Sequence, residues 1–281
     1  MTTRQPYPDF ENPPVVEVAL AVQFERLGGF RYTHFGLLWQ RLAQTFPLVE
    51  DHPPVQKLVE TFGARESPRV GIQLVSGDMP PAVRSWFLTE SRNELLQVQS
   101  DKLVHNWRKV GAGVHEGADY PWYEHIRKQF EDELAIFCEF VNDFQLGNFS
   151  PNQCEITYIN HIVPGEDWSM HAEIDKVITS FKPSIRKLCH LELENARFDM
   201  RYIIRDVEQR PSGRLHVALQ PAFRKSDEKA MLVLTLTARG RPDEASSAGV
   251  MRFLDQGHAL IVHGFTELTT PEMHTVWRRG E

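Results

Sequence analysis

Residues 93–108, NELLQVQSDKLVHNWR, contain the pattern from which the fold of this chain can be worked out. Two runs of alternating residues flank a polar pair, Ser100-Asp101, as in a β-hairpin with a tight turn. One face is predicted to carry Leu96, Val98, Leu103, His105 and Trp107. The opposite face is predicted to carry Gln97, Gln99, Lys102, Asn106 and Arg108, together with Leu95 and Val104. This split indicates a sheet with one face buried and the other face polar.

Further strands and helices are predicted on both sides of the hairpin. Alternating residues predict strands at 15–24, 83–88, 154–163, 197–205, 214–224 and 231–239. Apolar residues at helical spacing predict helices at 33–46, 122–144 and 247–268, and Ser169 is a candidate cap for a helix ending before Pro183. Region 50–81 is rich in proline and is interpreted as a loop or edge hairpin, with short strands near Val59 and at 70–75. Pro211-Ser212-Gly213 is predicted to form a hairpin turn.

The same order of elements occurs twice, as strand, helix, three strands and long helix. The interpretation is an extended N-terminal arm at 1–14, a first α+β half at 15–147 and a second α+β half at 151–281. One continuous domain is the alternative interpretation. The predicted fold class is α+β, with helices packed on one face of a curved antiparallel sheet.

Composition and charge exclude several classes of function. The chain has 281 residues, 41% of them hydrophobic, and a net charge of −7, which is typical of a soluble globular protein and argues against nucleic-acid binding led by phosphate contacts. No run approaches the roughly 20 apolar residues of a membrane span. No apolar segment follows Arg4, so a secretory signal is not expected and a cytoplasmic location is.

Familiar motifs for catalysis and for cofactor binding are missing from the sequence. Cys138, Cys154 and Cys189 are far apart and are expected to be reduced thiols. HExxH, GxSxG, GxGxxG and the Walker loop do not occur, so neither a metal nor a cofactor is expected. The acidic run Glu131, Asp132 and Glu133 is predicted to be a solvated helix face.

The polar sheet face supplies the candidate binding residues. Arginine, asparagine and glutamine side chains present several directed hydrogen-bond donors. The predicted ligand-binding residues are Gln97, Gln99, Asn106, Arg108, Arg201 and Arg239. An antiparallel sheet can also show a polar face to water without any ligand. The first functional hypothesis is a non-enzymatic binding or regulatory protein for a small anionic ligand or a protein partner, with a homodimer formed through these faces as a variant.

Two histidines give the alternative hypothesis, and the tryptophans are assigned separately. His105 shares its face with apolar residues and is expected to be a core imidazole bonded to a backbone group. The alternative is an enzyme of unrecognised type, a hydrolase or nuclease, in which His105 or His161 works with Asp101, Asp199 or Glu155. The tryptophans are expected in the core, except that Trp86 beside Arg84 is a candidate for a cation–π contact; the core set is Trp39, Trp107 and Trp122.

Several segments together resemble a sporadically distributed bacterial family of uncharacterised conserved hypothetical proteins. The resemblance spans nearly the whole chain, and its most specific part is QxxDKLVHNWRK followed by YPWYE. The other segments are PPVVEVALAVQF, QCEITYINHI and FLDQGHALIVHGFTEL. The family carries no assigned activity, so the resemblance implies only an intact bacterial cytoplasmic protein, and its patchy distribution suggests a phage-defence or mobile-element context.

Overall fold

The computed structural model describes residues 7–63, 84–110, 119–165, 167–224 and 227–280. Its strands are β1 (Val15–Phe24), β2 (Leu48–His52), β3 (Arg84–Leu88), β4 (Glu94–Gln99), β5 (Lys102–Arg108), β6 (Pro151–Ile162), β7 (Lys187–Leu188), β8 (Leu191–Glu192), β9 (Phe198–Arg205), β10 (Pro211–Phe223) and β11 (Ala230–Gly240). Its helices are α1 (Tyr32–Leu42), α2 (Trp122–Asp143), α3 (Ser247–Leu268) and α4 (Pro271–Val276), with 3₁₀ helices at His171–Lys176 and Pro183–Arg186.

Nine of these strands form one antiparallel sheet in the order β2-β3-β4-β5-β1-β6-β11-β10-β9, and β7 pairs only with β8. The α+β class with a large antiparallel sheet is therefore confirmed. β1 lies in the middle of the sheet, with β5 on one side and β6 on the other. The sheet consequently runs without a break from the first half of the chain into the second.

The predicted hairpin is present as β4 and β5, with Ser100 and Asp101 at its turn. Its predicted apolar residues are buried in the core beside apolar residues of α2, because period-two alternation sends every second side chain to the same face. The members on β4 and β5 are Leu96, Val98, Leu103, His105 and Trp107. On the second half, α3 approaches the sheet closely at Gly257, where an added Cβ atom would lie 2.5 Å from Ile156 Cγ2.

The first helix differs from its prediction at both ends. It begins at Tyr32 rather than at residue 33, because Arg31 is the N-cap, and the Arg31 amide donates to His34 Nδ1 at 2.8 Å. It ends at Leu42 instead of residue 46. The chain then forms β2, a strand that was not predicted and whose last three residues fall in the region interpreted as a loop or edge hairpin.

Local polar contacts account for two further differences. The helix predicted after Ser169 is only a 3₁₀ helix, since Glu173 leaves the helical conformation and its carboxylate accepts from the Ser169 amide at 2.7 Å. The predicted turn at residues 211–213 is the start of β10. The actual turn precedes it, where Asp206 Oδ1 accepts from the Arg210 amide at 2.9 Å. Val59 lies in no strand, and residues 70–75 fall outside the described residues.

The two ends of the chain pack together beside α3. Phe10 of the N-terminal arm is buried, with its ring 5.6 Å from the ring of Phe265 and 6.2 Å from that of Trp277. The backbone amides of Glu11 and Asn12 donate to the carbonyl oxygens of Arg278 and Trp277, and these bonds fix the arm at this position. Among the described residues, no helix has both the length and the apolar character that crossing a membrane requires.

Candidate functional site

The polar face of the sheet is crossed by residues 53–62, here named the crossing segment. Three backbone amides of this segment donate to glutamine side chains of the sheet. Val55 N donates to Gln99 Oε1 at 2.7 Å, Leu58 N to Gln23 at 3.2 Å and Glu60 N to Gln153 at 3.2 Å. The face predicted to be open is therefore occupied in part by the chain itself.

The three glutamines form one row across the strands. Gln99 pairs with Lys102, Lys102 pairs with Gln23, and Gln23 pairs with Gln153. Neighbouring strands lie about 4.8 Å apart and an extended chain advances about 3.3 Å per residue. Three residues of the crossing segment span about 10 Å, which matches the two strand spacings between its first two contacts. The segment is thus bound as an extended peptide perpendicular to the strands.

The Glu60 side chain ends this row in a carboxylate-binding site. Its carboxylate accepts hydrogen bonds from Arg214 and from His216 Nε2, the latter at 2.7 Å, and Arg239 Nη1 lies 3.5 Å away. Glu60 is only 5% exposed. Burial opposes ionisation of the carboxyl group, but the hydrogen bonds from His216 and Arg214 lower the pKa of Glu60 to about 2. We name Arg214, His216 and Arg239 the carboxylate site.

Arg214 also holds the two residues that follow Glu60. Its Nη2 atom donates to the Thr61 carbonyl oxygen at 2.9 Å. Its guanidinium lies 4.4 Å from the centroid of the Phe62 ring, which is the distance of a cation–π contact. One arginine of β10 therefore binds a carboxylate, a backbone carbonyl and an aromatic ring at once.

The six predicted binding residues fall into separate groups. Gln99 and Arg239 contact the crossing segment, and Arg239 also donates to Glu155. Arg201 lies opposite His216 of the carboxylate site in the register of β9 and β10, and its side chain lies 3.8 Å from that of Asp199. The remaining residues lie toward the β2–β3 edge, where they are Gln97, Asn106 and Arg108.

That second group is a hydrogen-bonded chain. Arg84 donates to Gln97 at 2.8 Å, Gln97 donates to Asn106 at 2.6 Å, and Asn106 donates to Glu17 at 2.8 Å. Burial raises the pKa of Glu17, against the opposing hydrogen bond from Asn106. Since Asn106 is 5% exposed, its side chain serves Glu17 rather than an outside ligand in this structure.

The cation–π contact expected at Trp86 is confirmed. The Arg84 guanidinium lies 5.3 Å from the ring centroid and that of Arg108 lies 5.6 Å away. The ring of His52, on the neighbouring strand β2, stacks on the same indole at 3.9 Å. The indole of Trp86 thus has three cationic or imidazole neighbours at this edge of the sheet.

The two candidate catalytic histidines are not bonded to the carboxylates proposed for them. His105 is fully buried, as predicted, but its Nδ1 atom contacts the carboxylate of Glu133 at 2.9 Å rather than a backbone group. The prediction that Glu133 is solvated is wrong, because it is 5% exposed and faces the core. Burial lowers the pKa of His161, and no hydrogen bond to its imidazole is found within the described ranges. The proposed carboxylates have other partners, with Asp101 bonded to Gln99, Glu155 to Arg239 and Asp199 near Arg201.

A second candidate site is a cavity of about 380 Å³ on the helix side of the sheet. We name it the aromatic cavity, after the rings in its wall: Tyr7, Phe10, Tyr120, Trp122, Tyr123, Tyr158, His258 and Phe265. Tyr158 connects two of them, with its hydroxyl 3.0 Å from that of Tyr120 and 2.9 Å from His258 Nδ1. Tyr123 stacks on His258 at 3.9 Å and donates to Asp255 at 2.8 Å.

Trp122 contradicts the expectation that it lies in the core. Its side chain is 43% exposed and its backbone has a φ of 65°, in the left-handed region that bulky residues rarely adopt. The residue is the first of α2 and lines the aromatic cavity. Within the part of the chain that the structure describes, no group of three or more histidine, cysteine or acidic side chains is arranged to hold a metal ion.

Sequence reasoning missed Glu60, Arg214 and Gln153 for identifiable reasons. Gln153 lies before the predicted start of its strand, and the crossing segment is bound mainly through its backbone, which leaves no pattern in the sequence. Arg214 lies at the start of a predicted strand, without a partner to mark its role.

Comparison of the chain with protein-family models, with curated proteins and with solved structures found no match.

Proposed function

We propose that this protein is a non-enzymatic binding protein whose polar sheet face takes up an extended, acidic segment of a protein partner. The single observation that supports this proposal is the crossing segment, whose Glu60 carboxylate is held by Arg214, His216 and Arg239. The segment occupies the place of the partner. A partner binds by displacing it.

The contacts favour recognition of backbone over sequence. Val55 and Leu58 contact the sheet through their backbone amides. Every residue except proline has such an amide, so these two contacts do not select a side chain. Gln99 contacts both backbone groups of Val55, since its Nε2 atom also donates to the Val55 carbonyl oxygen at 3.3 Å. An amide side chain offers a donor and an acceptor together, which suits any extended peptide. Selectivity then comes from the carboxylate site at the end of the row.

The proposal predicts that the crossing segment, supplied as a separate peptide, binds to the full-length chain. The probe is a fluorescein-labelled peptide with the sequence of residues 53–63, PPVQKLVETFG. In the unaltered protein the tethered segment competes at high effective concentration. The substitution Glu60→Ala weakens the tethered segment, so this variant is expected to bind the peptide at least about 10-fold more tightly than the unaltered protein, as measured by fluorescence anisotropy.

Substitutions in the carboxylate site test the same proposal from the other side. In the Glu60→Ala background, adding Arg214→Ala and Arg239→Ala is expected to cost about 2 kcal/mol or more, roughly 30-fold in peptide affinity. The matched control is Arg252→Ala, since Arg252 is exposed and lies on α3, away from this row. Equal binding with and without the two arginines contradicts the proposal, as does an absence of binding. Competition by free glutamate as effective as that by the peptide indicates a small anion as the ligand.

The proposal also includes a repeat of architecture between the two halves of the chain. In each half the first strand pairs with the last, β1 with β5 and β6 with β11. The crossing segment belongs to the first half, and Glu60 binds arginines of the second. We therefore propose two related halves that build one binding face together, with homodimerisation through this face and a phage-defence or mobile-element context as further hypotheses.

A further inference from the structure

We propose that the aromatic cavity binds a small organic ammonium ion. The cation would lie among the aromatic rings, with carboxylates at the mouth of the cavity. This site lies on the opposite side of the sheet from the carboxylate site, so it is independent of the function proposed above.

The wall of the cavity has the composition of a cation-binding aromatic cage. Four tyrosines and one tryptophan line it, and aromatic ring faces attract a cation electrostatically. Tyr120 and Trp122 have their ring centroids 5.4 Å apart, and Tyr7 lies 5.4 Å from His258. The volume of about 380 Å³ lies within the usual range for small-molecule sites.

The charges around the cavity favour a cation over an anion. No lysine or arginine is found among the described residues that line the cavity, whereas the acidic residues Asp9 and Glu124 both line it. Burial lowers the pKa of His258 to about 4, against the opposing charge of Asp255, so the imidazole is neutral at pH 7. Burial likewise raises the pKa of Tyr120, Tyr123 and Tyr158, so their hydroxyl groups stay protonated. The two carboxylates are therefore the only full charges in the described wall.

One feature opposes a cation, and the structure offsets it locally. The first residues of α2 line the cavity, and a helix N-terminus carries a positive partial charge. Glu124 lies in that first turn and supplies a full negative charge beside it. The balance at the mouth is therefore negative.

Two residues of the cavity wall have features that a bound ligand would account for. The His258 Nδ1 atom is engaged by Tyr158, while Nε2 has no hydrogen-bond partner among the described residues. His258 is 8% exposed and lines the cavity. Trp122 is held at a positive φ with its side chain at the mouth, and backbone strain of this kind is concentrated at ligand sites. Both observations point to a bound ligand that completes the site.

The test uses three compounds that share a tert-butyl-like head and differ in charge. They are choline, its neutral carbon isostere 3,3-dimethylbutan-1-ol, and the anion 3,3-dimethylbutanoate. Titration of the full-length protein by isothermal calorimetry at pH 7 is expected to show choline binding at least about 10-fold more tightly than the neutral compound, and no binding of the anion.

Variants separate the charge from the ring. Trp122→Leu and Glu124→Gln are each expected to weaken choline binding by about 5- to 10-fold. The matched control is Glu139→Gln on the same helix, an exposed glutamate away from the cavity, which is expected to leave the affinity unchanged. Thermal unfolding of each variant shows whether it remains folded.

Three outcomes would overturn the proposal. Equal affinity for choline and the neutral compound indicates an apolar cavity that does not sense charge. Tighter binding of the anion indicates that the N-terminus of α2 dominates the site. An absence of choline binding removes the ammonium ion as the ligand, whatever the crossing segment does.

Discussion

Glu133→Ala is expected to destabilise the protein by about 3–5 kcal/mol, the cost of removing one member of a buried charged pair. Glu133 is 5% exposed and its two carboxylate oxygens lie 2.9 and 3.0 Å from His105 Nδ1. The other ring nitrogen, Nε2, has no hydrogen-bond partner among the described residues, so the substitution would leave His105 buried without one. Urea denaturation followed by circular dichroism measures the loss.

Two controls test that this effect comes from the pair. Glu139→Ala changes an exposed glutamate of the same helix and is expected to shift the free energy of unfolding by no more than about 0.5 kcal/mol. Glu133→Gln keeps an oxygen that can accept from a neutral His105, so its cost is expected to be less than half that of Glu133→Ala. A loss below about 1 kcal/mol for Glu133→Ala would show that the pair contributes little.

The pair also gives stability a defined dependence on pH. Burial disfavours the charged imidazole, yet the Glu133 carboxylate raises the pKa of His105 above its usual value. Because the pKa of His105 is raised in the folded state, the stabilisation by the pair is fully present below about pH 6.5, the pKa of histidine in the unfolded chain. It is lost as the pH rises through the pKa of His105 in the folded protein. The advantage of the unaltered protein over Glu133→Gln is therefore expected to shrink between pH 6 and pH 9. A constant difference over that range would contradict the raised pKa.

Gly257→Ala is expected to destabilise by about 1–3 kcal/mol, although alanine favours a helix more than glycine does. The added Cβ atom would lie 2.5 Å from Ile156 Cγ2 and 3.1 Å from Ala238 Cβ, so α3 or the sheet must move. Thermal and urea unfolding of the variant measure the cost. The reason is contact between the helix and β6, not the backbone conformation of the glycine.

Gly264→Ala is the matched control on the same helix. Its Cβ atom would lie 3.5 Å from Leu215 Cδ2 and 3.7 Å from Leu236 Cδ2, which are ordinary contacts. This substitution is expected to stabilise by about 0.4–1 kcal/mol through the lower entropy of the unfolded chain. Changes of opposite sign in the free energy of unfolding at the two glycines would establish that α3 packs closely on the sheet at Gly257. A stabilising Gly257→Ala would refute this close contact.

The parts of the fold that could be predicted are those with a strong period. The hairpin of β4 and β5 and the long helices α2 and α3 appear at nearly their predicted bounds, because apolar spacing along them is regular. The failures occur where side chains compete with the backbone for hydrogen bonds, as at Arg31, Glu173 and Asp206. Such contacts depend on atoms brought close by the fold and leave no periodic pattern.

The candidate site was predictable only as a surface. Alternation identified the polar face and named Gln99 and Arg239 on it, but it could not show that residues 53–62 lie across that face. Glu133 was misassigned for a related reason. Three consecutive acidic residues look solvated together, although a helix turns the third toward the core, where His105 binds it.

The central place of β1 in the sheet has a consequence for synthesis of the chain on the ribosome. Both neighbours of β1 come later in the chain, β5 beginning at Lys102 and β6 at Pro151. At about 5–20 residues per second, the stretch from residue 24 to residue 102 takes on the order of 4–16 s. During that time the nascent segment VVEVALAVQF offers two unpaired edges and one apolar face, the features that drive intermolecular strand pairing. Chaperones that shield apolar segments as they leave the ribosome would therefore act earliest here.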